Sequence, residues 1–245
     1  MAIILIFSFC DDIKIGEWEV KKAPFSETLF KSRIEDNTNS YLNSDSLRQK
    51  KNKEVVTDST PQSILLFGDS MTMNLALRLA QYAEHNGHKF HAVNWDSSNT
   101  ISWAKCDTLD NYISRFKPTY IFVSLGANEL YLANPDGHRK YVESIIEKIG
   151  DIPFVWIGPP NWKEDNGLND MIEDVCTSGN FFRSAGMEFE RKKDKVHPTR
   201  KASALWIDSI ARWMPKSSHP IILSLPPDSI KVPNNSITFL KAYKK

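Results

Sequence analysis

Three short stretches carry side chains that together could perform acyl transfer. In "ILLFGDSM" (64–71) four apolar residues run into a Gly-Asp-Ser turn and then into a helical pattern. A serine on such a strand-to-helix turn exposes its hydroxyl at the sheet's carboxyl edge and aims its own N–H into a helix N-terminus that favours negative charge. Ser70 is therefore a candidate nucleophile, although Asp69 or Ser70 capping the next helix accounts for the same turn. In "SLGANEL" (124–130), Asn128 offers a side-chain amide donor beside the small residues Gly126 and Ala127, as an oxyanion site requires. The competing reading is a strand-ending turn that uses asparagine for its own geometry. In "DKVHPT" (194–199), Asp194 and His197 stand three residues apart. A serine nucleophile needs a base, and the base needs a carboxylate that fixes its tautomer. The chain order Ser, Asp, His is also that of the α/β-hydrolases.

The elements that must position these residues read as a βα-repeating domain. Strands are expected at 64–68, 89–95, 119–125, 153–158 and near 180–183, and helices at 71–86, 107–116, 138–149, 167–177 and 198–214. Gly87 and Gly150 stop two of the helices, and Pro198 suits the first turn of the last. Short apolar runs alternating with amphipathic segments predict a three-layer α/β/α sandwich of about five parallel strands. In such sheets ligands sit beyond the carboxyl ends of the strands, where the serine and asparagine motifs fall. No repeat at solenoid spacing and no transmembrane helix is evident.

With these motifs in order, residues 63–214 resemble the SGNH hydrolases, the GDSL esterase and lipase family. "FGDSM" matches the family's first block, "GANE" its third and "DKVHPT" its last. The resemblance implies a flavodoxin-like fold of strand order 2-1-3-4-5, with Ser70 as nucleophile, Asn128 as oxyanion donor, Asp194 and His197 completing a triad, and no cofactor. Two positions depart from the pattern. The second block, "NWDSSNTISW" (94–103), lacks the usual glycine, leaving Ser97 or Ser98 to supply that oxyanion N–H beside the N–H of Ser70. Glu129 stands where aspartate is usual.

"WIGPPNW" (156–162) follows the fourth strand, so Asn161 can bond a substrate and Trp162 can stack on a sugar ring. Trp103 can do likewise, against the alternative that both tryptophans pack internally. The expected substrate is a small-molecule or glycan ester, with a carbohydrate O-acetyl esterase as the specific reading. An O-acetyltransferase with the same triad and a catalytically idle surface binding module are the alternatives. His85, His88 and His91 straddle the Gly87 helix stop and are not expected to share a metal. "ERKKDK" (190–195) reads as a solvated loop in which Lys195 can meet an acidic glycan.

The 245 residues balance 31 Lys and Arg against 30 Asp and Glu, a net charge of +1 that gives no footprint for nucleic acid. Three cysteines are too few and too scattered for a disulfide scaffold or zinc site, leaving Cys106 and Cys176 as free thiols or one pair. The opening "MAIILIFSFC" resembles the end of a bacterial lipoprotein signal, which implies lipidation and membrane anchoring at Cys10 and a periplasmic or cell-surface location; without such a signal the location is cytoplasmic. Residues 11–63 read as a polar lead-in, and 215–245 as a proline-rich tail with two apolar patches, "IILSL" and "SITFL", that lies against the domain or hangs free.

Overall fold

A computed structural model describes residues 13–15, 18–20, 58–177, 179–217, 219–227, 230 and 236–241. Cys10 and the apolar run before it lie outside the described residues. Within the lead-in, strands β1 (Ile13–Ile15) and β2 (Trp18–Val20) pair antiparallel with Ile13 opposite Val20. They belong to a unit separate from the rest of the chain, which begins at Val55.

The main unit alternates strands and helices in the order β3 (Ser63–Gly68), α1 (Thr72–His85), β4 (Lys89–Trp95), α2 (Thr100–Lys105), α3 (Thr108–Phe116), β5 (Tyr120–Ser124), α4 (Arg139–Ile149), β6 (Phe154–Ile157), α5 (Leu168–Cys176), β7 (Phe181–Phe182), α6 (Arg200–Trp213) and β8 (Ile237–Leu240). All six strands of its sheet run parallel in the order β7-β6-β5-β3-β4-β8. The five strands from β3 to β7 thus keep the expected order 2-1-3-4-5.

Side-chain alternation along the strands builds the three layers. Ile64 and Leu66 of β3, Tyr120 and Phe122 of β5, and Val155 and Ile157 of β6 face one cluster with Leu75 and Leu79 of α1 and Trp206 and Ile207 of α6. Leu65 and Phe67, Ile121 and Val123, and Phe154 and Trp156 face the other, with Trp103, Leu109, Val142, Ile145 and Met171 of α2 to α5. Central parallel strands are covered on both faces, which is why they read as unbroken apolar runs rather than alternating ones.

Four expectations are corrected. The tail does not end the fold at 214: "SITFL" supplies β8, a sixth strand that pairs with β4 from Ala92 opposite Ile237 to Trp95 opposite Leu240. The lead-in joins the domain before 63, since Asp58 N–H donates to the Pro220 carbonyl at 2.7 Å and Gln62 N–H to His88 Nδ1 at 3.0 Å. A helix also precedes 107: Asn99 and Ser102 form a capping box at the start of α2. At the last helix the cap is Thr199, which accepts the Ala202 N–H, so Pro198 lies just outside α6. Cys106 and Cys176 are both free thiols.

At the carboxyl end of β3 the neighbouring strand comes too close for any side chain. A Cβ on Gly68 would lie 1.9 Å from the Ser124 carbonyl oxygen of β5. Gly68→Ala should therefore lower stability by about 3 kcal/mol or more, since backbone cannot yield as a side chain can. A denaturant melt checks this, and an unchanged midpoint would contradict the close approach.

Candidate active site

The turn after Gly68 separates the two roles open to "GDS". Asp69 closes the turn ahead of α1, where no side chain caps the helix at Met71: its Oδ1 accepts the Met71 N–H at 3.0 Å and its carbonyl accepts the Thr72 N–H at 3.0 Å. Its Oδ2 accepts the Ala127 N–H at 3.2 Å, and its own N–H donates to the Ser124 carbonyl at 3.0 Å. Ser70 is thereby left with its hydroxyl at the sheet edge, where Oγ lies 2.8 Å from His197 Nε2.

His197 comes from the loop between β7 and α6, folded back on itself by three backbone bonds. Lys192 N–H donates to the His197 carbonyl at 2.8 Å, Thr199 N–H to the Glu190 carbonyl at 2.8 Å, and Lys195 N–H to the Lys192 carbonyl at 2.9 Å. Asp194 grips the histidine twice. Its Oδ2 lies 2.9 Å from His197 Nδ1, and its Oδ1 accepts the N–H groups of Val196 and His197, each at 2.9 Å. These backbone N–H bonds, with the imidazole bond third, hold the Asp194 carboxyl down at about 2. An ionised carboxylate only accepts, so Nδ1 carries the proton and Nε2 is the acceptor facing the serine O–H.

After β5, Asn128 Nδ2 donates one hydrogen to the Ser98 carbonyl at 2.9 Å, which fixes the amide plane and leaves its second N–H. Of the two second-block serines, Ser98 is ruled out as an N–H donor. Its N–H closes a turn onto the Trp95 carbonyl at 3.1 Å, and its buried hydroxyl accepts the Trp103 indole N–H at 2.9 Å. Ser97 is exposed and holds φ +58°, the left-handed region where glycine costs least. Its N–H has no partner among the described residues.

Glu129 is a buried strut. It accepts from the Thr100 N–H at 3.1 Å and the Thr100 hydroxyl at 2.5 Å, and its Oε1 lies 2.8 Å from His138 Nδ1. It thus pins the start of α2 to the asparagine loop, with Thr100 and His138 as partners that no local sequence signal marks. Burial of Asp69, with Glu129 nearby adding to it, raises the Asp69 carboxyl to about 7 against the opposing Met71 and Ala127 N–H bonds.

The two tryptophans separate. Trp103 is fully buried against Phe67 and Trp95, with centroids at 4.7 and 5.4 Å, so it cannot meet a substrate; the expected stacking role is corrected to core packing. Trp162 is half-buried, donates its indole N–H to the Ala127 carbonyl at 3.2 Å, and stands edge-on to Tyr131 at 5.1 Å. Tyr131, which the sequence reading missed, is 64 % exposed with the Lys163 ammonium 4.2 Å from its ring centre. Asn161 uses its side-chain oxygen to accept from buried Asn169 at 2.9 Å. Lys195 is exposed at φ +57°. His88 bonds Gln62 N–H and the Ile222 carbonyl, and His91 stacks on Phe116 at 4.0 Å.

The site therefore holds a serine, an imidazole and an ionised carboxylate in hydrogen-bonded sequence beyond the end of β3. Such a line can deprotonate an alcohol as it attacks a carbonyl. Compared with known protein families and with curated proteins, the chain matches no family model and no individual relative.

The two aspartates should titrate in opposite directions. Asp69 is protonated more readily in the folded chain, so its contribution to stability is complete below about pH 4 and is lost as pH rises through about 7. Asp194 contributes above the usual carboxylate range and loses that contribution as pH falls through about 2. Carboxyl carbon shifts measured by NMR should give Asp69 a midpoint near 7 with Asp194 still ionised at pH 4; an Asp69 midpoint in the ordinary aspartate range would contradict its burial.

Proposed function

We propose that this chain is a serine esterase of the SGNH type that cleaves an O-acyl group, acetyl foremost, from a carbohydrate or cell-wall glycan. The observation that carries the reading is the unbroken line from Ser70 Oγ through His197 to Asp194, at 2.8 and 2.9 Å.

In this reading His197 Nε2 takes the Ser70 proton while Oγ attacks the ester carbonyl. The developing oxyanion is held by the N–H groups of Ser70 and Ser97 and by the second N–H of Asn128. Asp194 stabilises the imidazolium, which then protonates the departing alcohol. Water, deprotonated by His197, attacks the acyl-serine, the same donors hold the second oxyanion, and its collapse releases the acid and expels Ser70 Oγ, which takes the proton back from His197. No metal or cofactor enters these steps.

The alcohol side of the substrate is assigned to Trp162, Tyr131 and Lys163. A half-buried indole and an exposed phenol ring beside an ammonium suit the apolar face of a sugar carrying an acidic group. Export and lipid attachment at Cys10 would bring the enzyme to glycans outside the cytoplasm.

Hydrolysis of p-nitrophenyl acetate and of O-acetylated sugars by purified protein tests the reading. Ser70→Ala should abolish turnover, and Asn128→Ala should lower kcat about 100-fold with little change in KM. Trp162→Ala should raise KM for the acetylated sugar well beyond any change in KM for the aryl ester. Equal hydrolysis by the Ser70→Ala protein would overturn the serine mechanism.

A further inference from the structure

The run "ERKKDK" reads as solvated charge, yet Arg191 within it is half-buried and faces inward. Arg78, Arg139 and Arg183 all pair with carboxylates. Arg191 instead directs its guanidinium at three neutral backbone carbonyls. Nη1 donates to Val196, and Nη2 donates to Asn161 at 3.0 Å and Pro160 at 3.4 Å.

The Val196 carbonyl belongs to the peptide unit whose N–H is that of His197, and that N–H donates to Asp194 Oδ1 at 2.9 Å. Both polar ends of the peptide before His197 are therefore held, one by Arg191 and one by Asp194. The following peptide is held by Lys192 N–H on the His197 carbonyl. Fixing these planes fixes the direction in which the imidazole leaves the chain. The Asn161 and Pro160 carbonyls lie in the loop that carries Trp162, and Trp162 donates to Ala127, the residue before Asn128. A continuous path of contacts thus runs from Val196 through Arg191, Asn161 and Trp162 to the asparagine loop.

We infer that Arg191 is a positioning residue that sets His197 at bonding distance from Ser70 and holds the base at a fixed separation from the oxyanion donors across the Trp162 loop. The role rests on the esterase reading. A planar fork of five donors can reach carbonyls in two segments at once, whereas a lysine ammonium supplies one point of attachment. Burial lowers the Arg191 pKa from its ordinary value against the opposing charge of the Asp194 carboxylate, but arginine still carries its charge and all its donors at neutral pH.

Arg191→Ala and Arg191→Lys, assayed with p-nitrophenyl acetate, test the role. Misplacing the base by about an ångström should lower kcat on the order of 100-fold while KM stays within about threefold, and lysine should recover only a small part of the loss. Added methylguanidinium should restore activity to Arg191→Ala at least about fivefold and leave wild type and Ser70→Ala unchanged, a response that a purely structural role would not give. Arg191→Gln carries the same test where the alanine protein does not fold. A kcat within about threefold of wild type, or a loss that methylguanidinium does not repair, overturns the proposal. Labelling of wild-type Ser70 by a fluorophosphonate separates the two failures. An unlabelled wild type removes the esterase reading itself, whereas a labelled wild type with an unaffected Arg191 variant removes only this residue's role.

Discussion

The buried carboxyl of Asp69 is the joint on which the site depends. It accepts one N–H from the turn that carries Ser70, at Met71, and one from the asparagine loop, at Ala127. The joint exists because β3 and β5 end side by side, so close that Gly68 is the only residue type that fits against Ser124. From there the geometry follows outward. The turn beyond Asp69 presents the Ser70 hydroxyl, the loop beyond Ala127 presents Asn128, and the separation of the two is set by backbone rather than by mobile side chains.

A second frame holds His197. The 190–199 loop has little regular structure of its own and is shaped by side chains bonded to backbone: Asp194 on two N–H groups, Arg191 on three carbonyls. Its far end is fixed where Asn74 of α1 donates to the Pro198 carbonyl at 3.2 Å. The helix that follows Ser70 thus also steadies the loop that carries His197. Glu129 braces the remaining side by tying α2 to the asparagine loop.

Much of this was legible in the sequence, for physical reasons. Parallel strands buried on both faces read as apolar runs, so β3, β5 and β6 could be placed within a residue or so from "ILLF", "TYIFVSL" and "PFVWIG". The Ser and Asn motifs were legible because each stands at the end of such an element, and the Asp-His motif because it stands just before the last helix. What escaped was set by tertiary pairing. "SITFL" became an edge strand because β4 had an open side, and nothing within the five residues distinguishes it from "IILSL". The choice between Ser97 and Ser98 was decided by a turn bond, and that between Trp103 and Trp162 by which helix face turns inward. Asn99 and Ser102 were the readable signal for α2, and hence for burial of Trp103. Arg191 carries no local mark among the lysines around it. Its importance lies in three carbonyls, two of them some thirty residues away.

The central claim is that an acyl group passes through Ser70. Acid-quenching the enzyme during turnover of an acetyl ester and mapping peptides by mass spectrometry tests it most directly. An acetyl group on Ser70 should accumulate early and disappear when substrate is exhausted. Turnover with Ser70 unmodified throughout, or with the acetyl group on another residue, would contradict it.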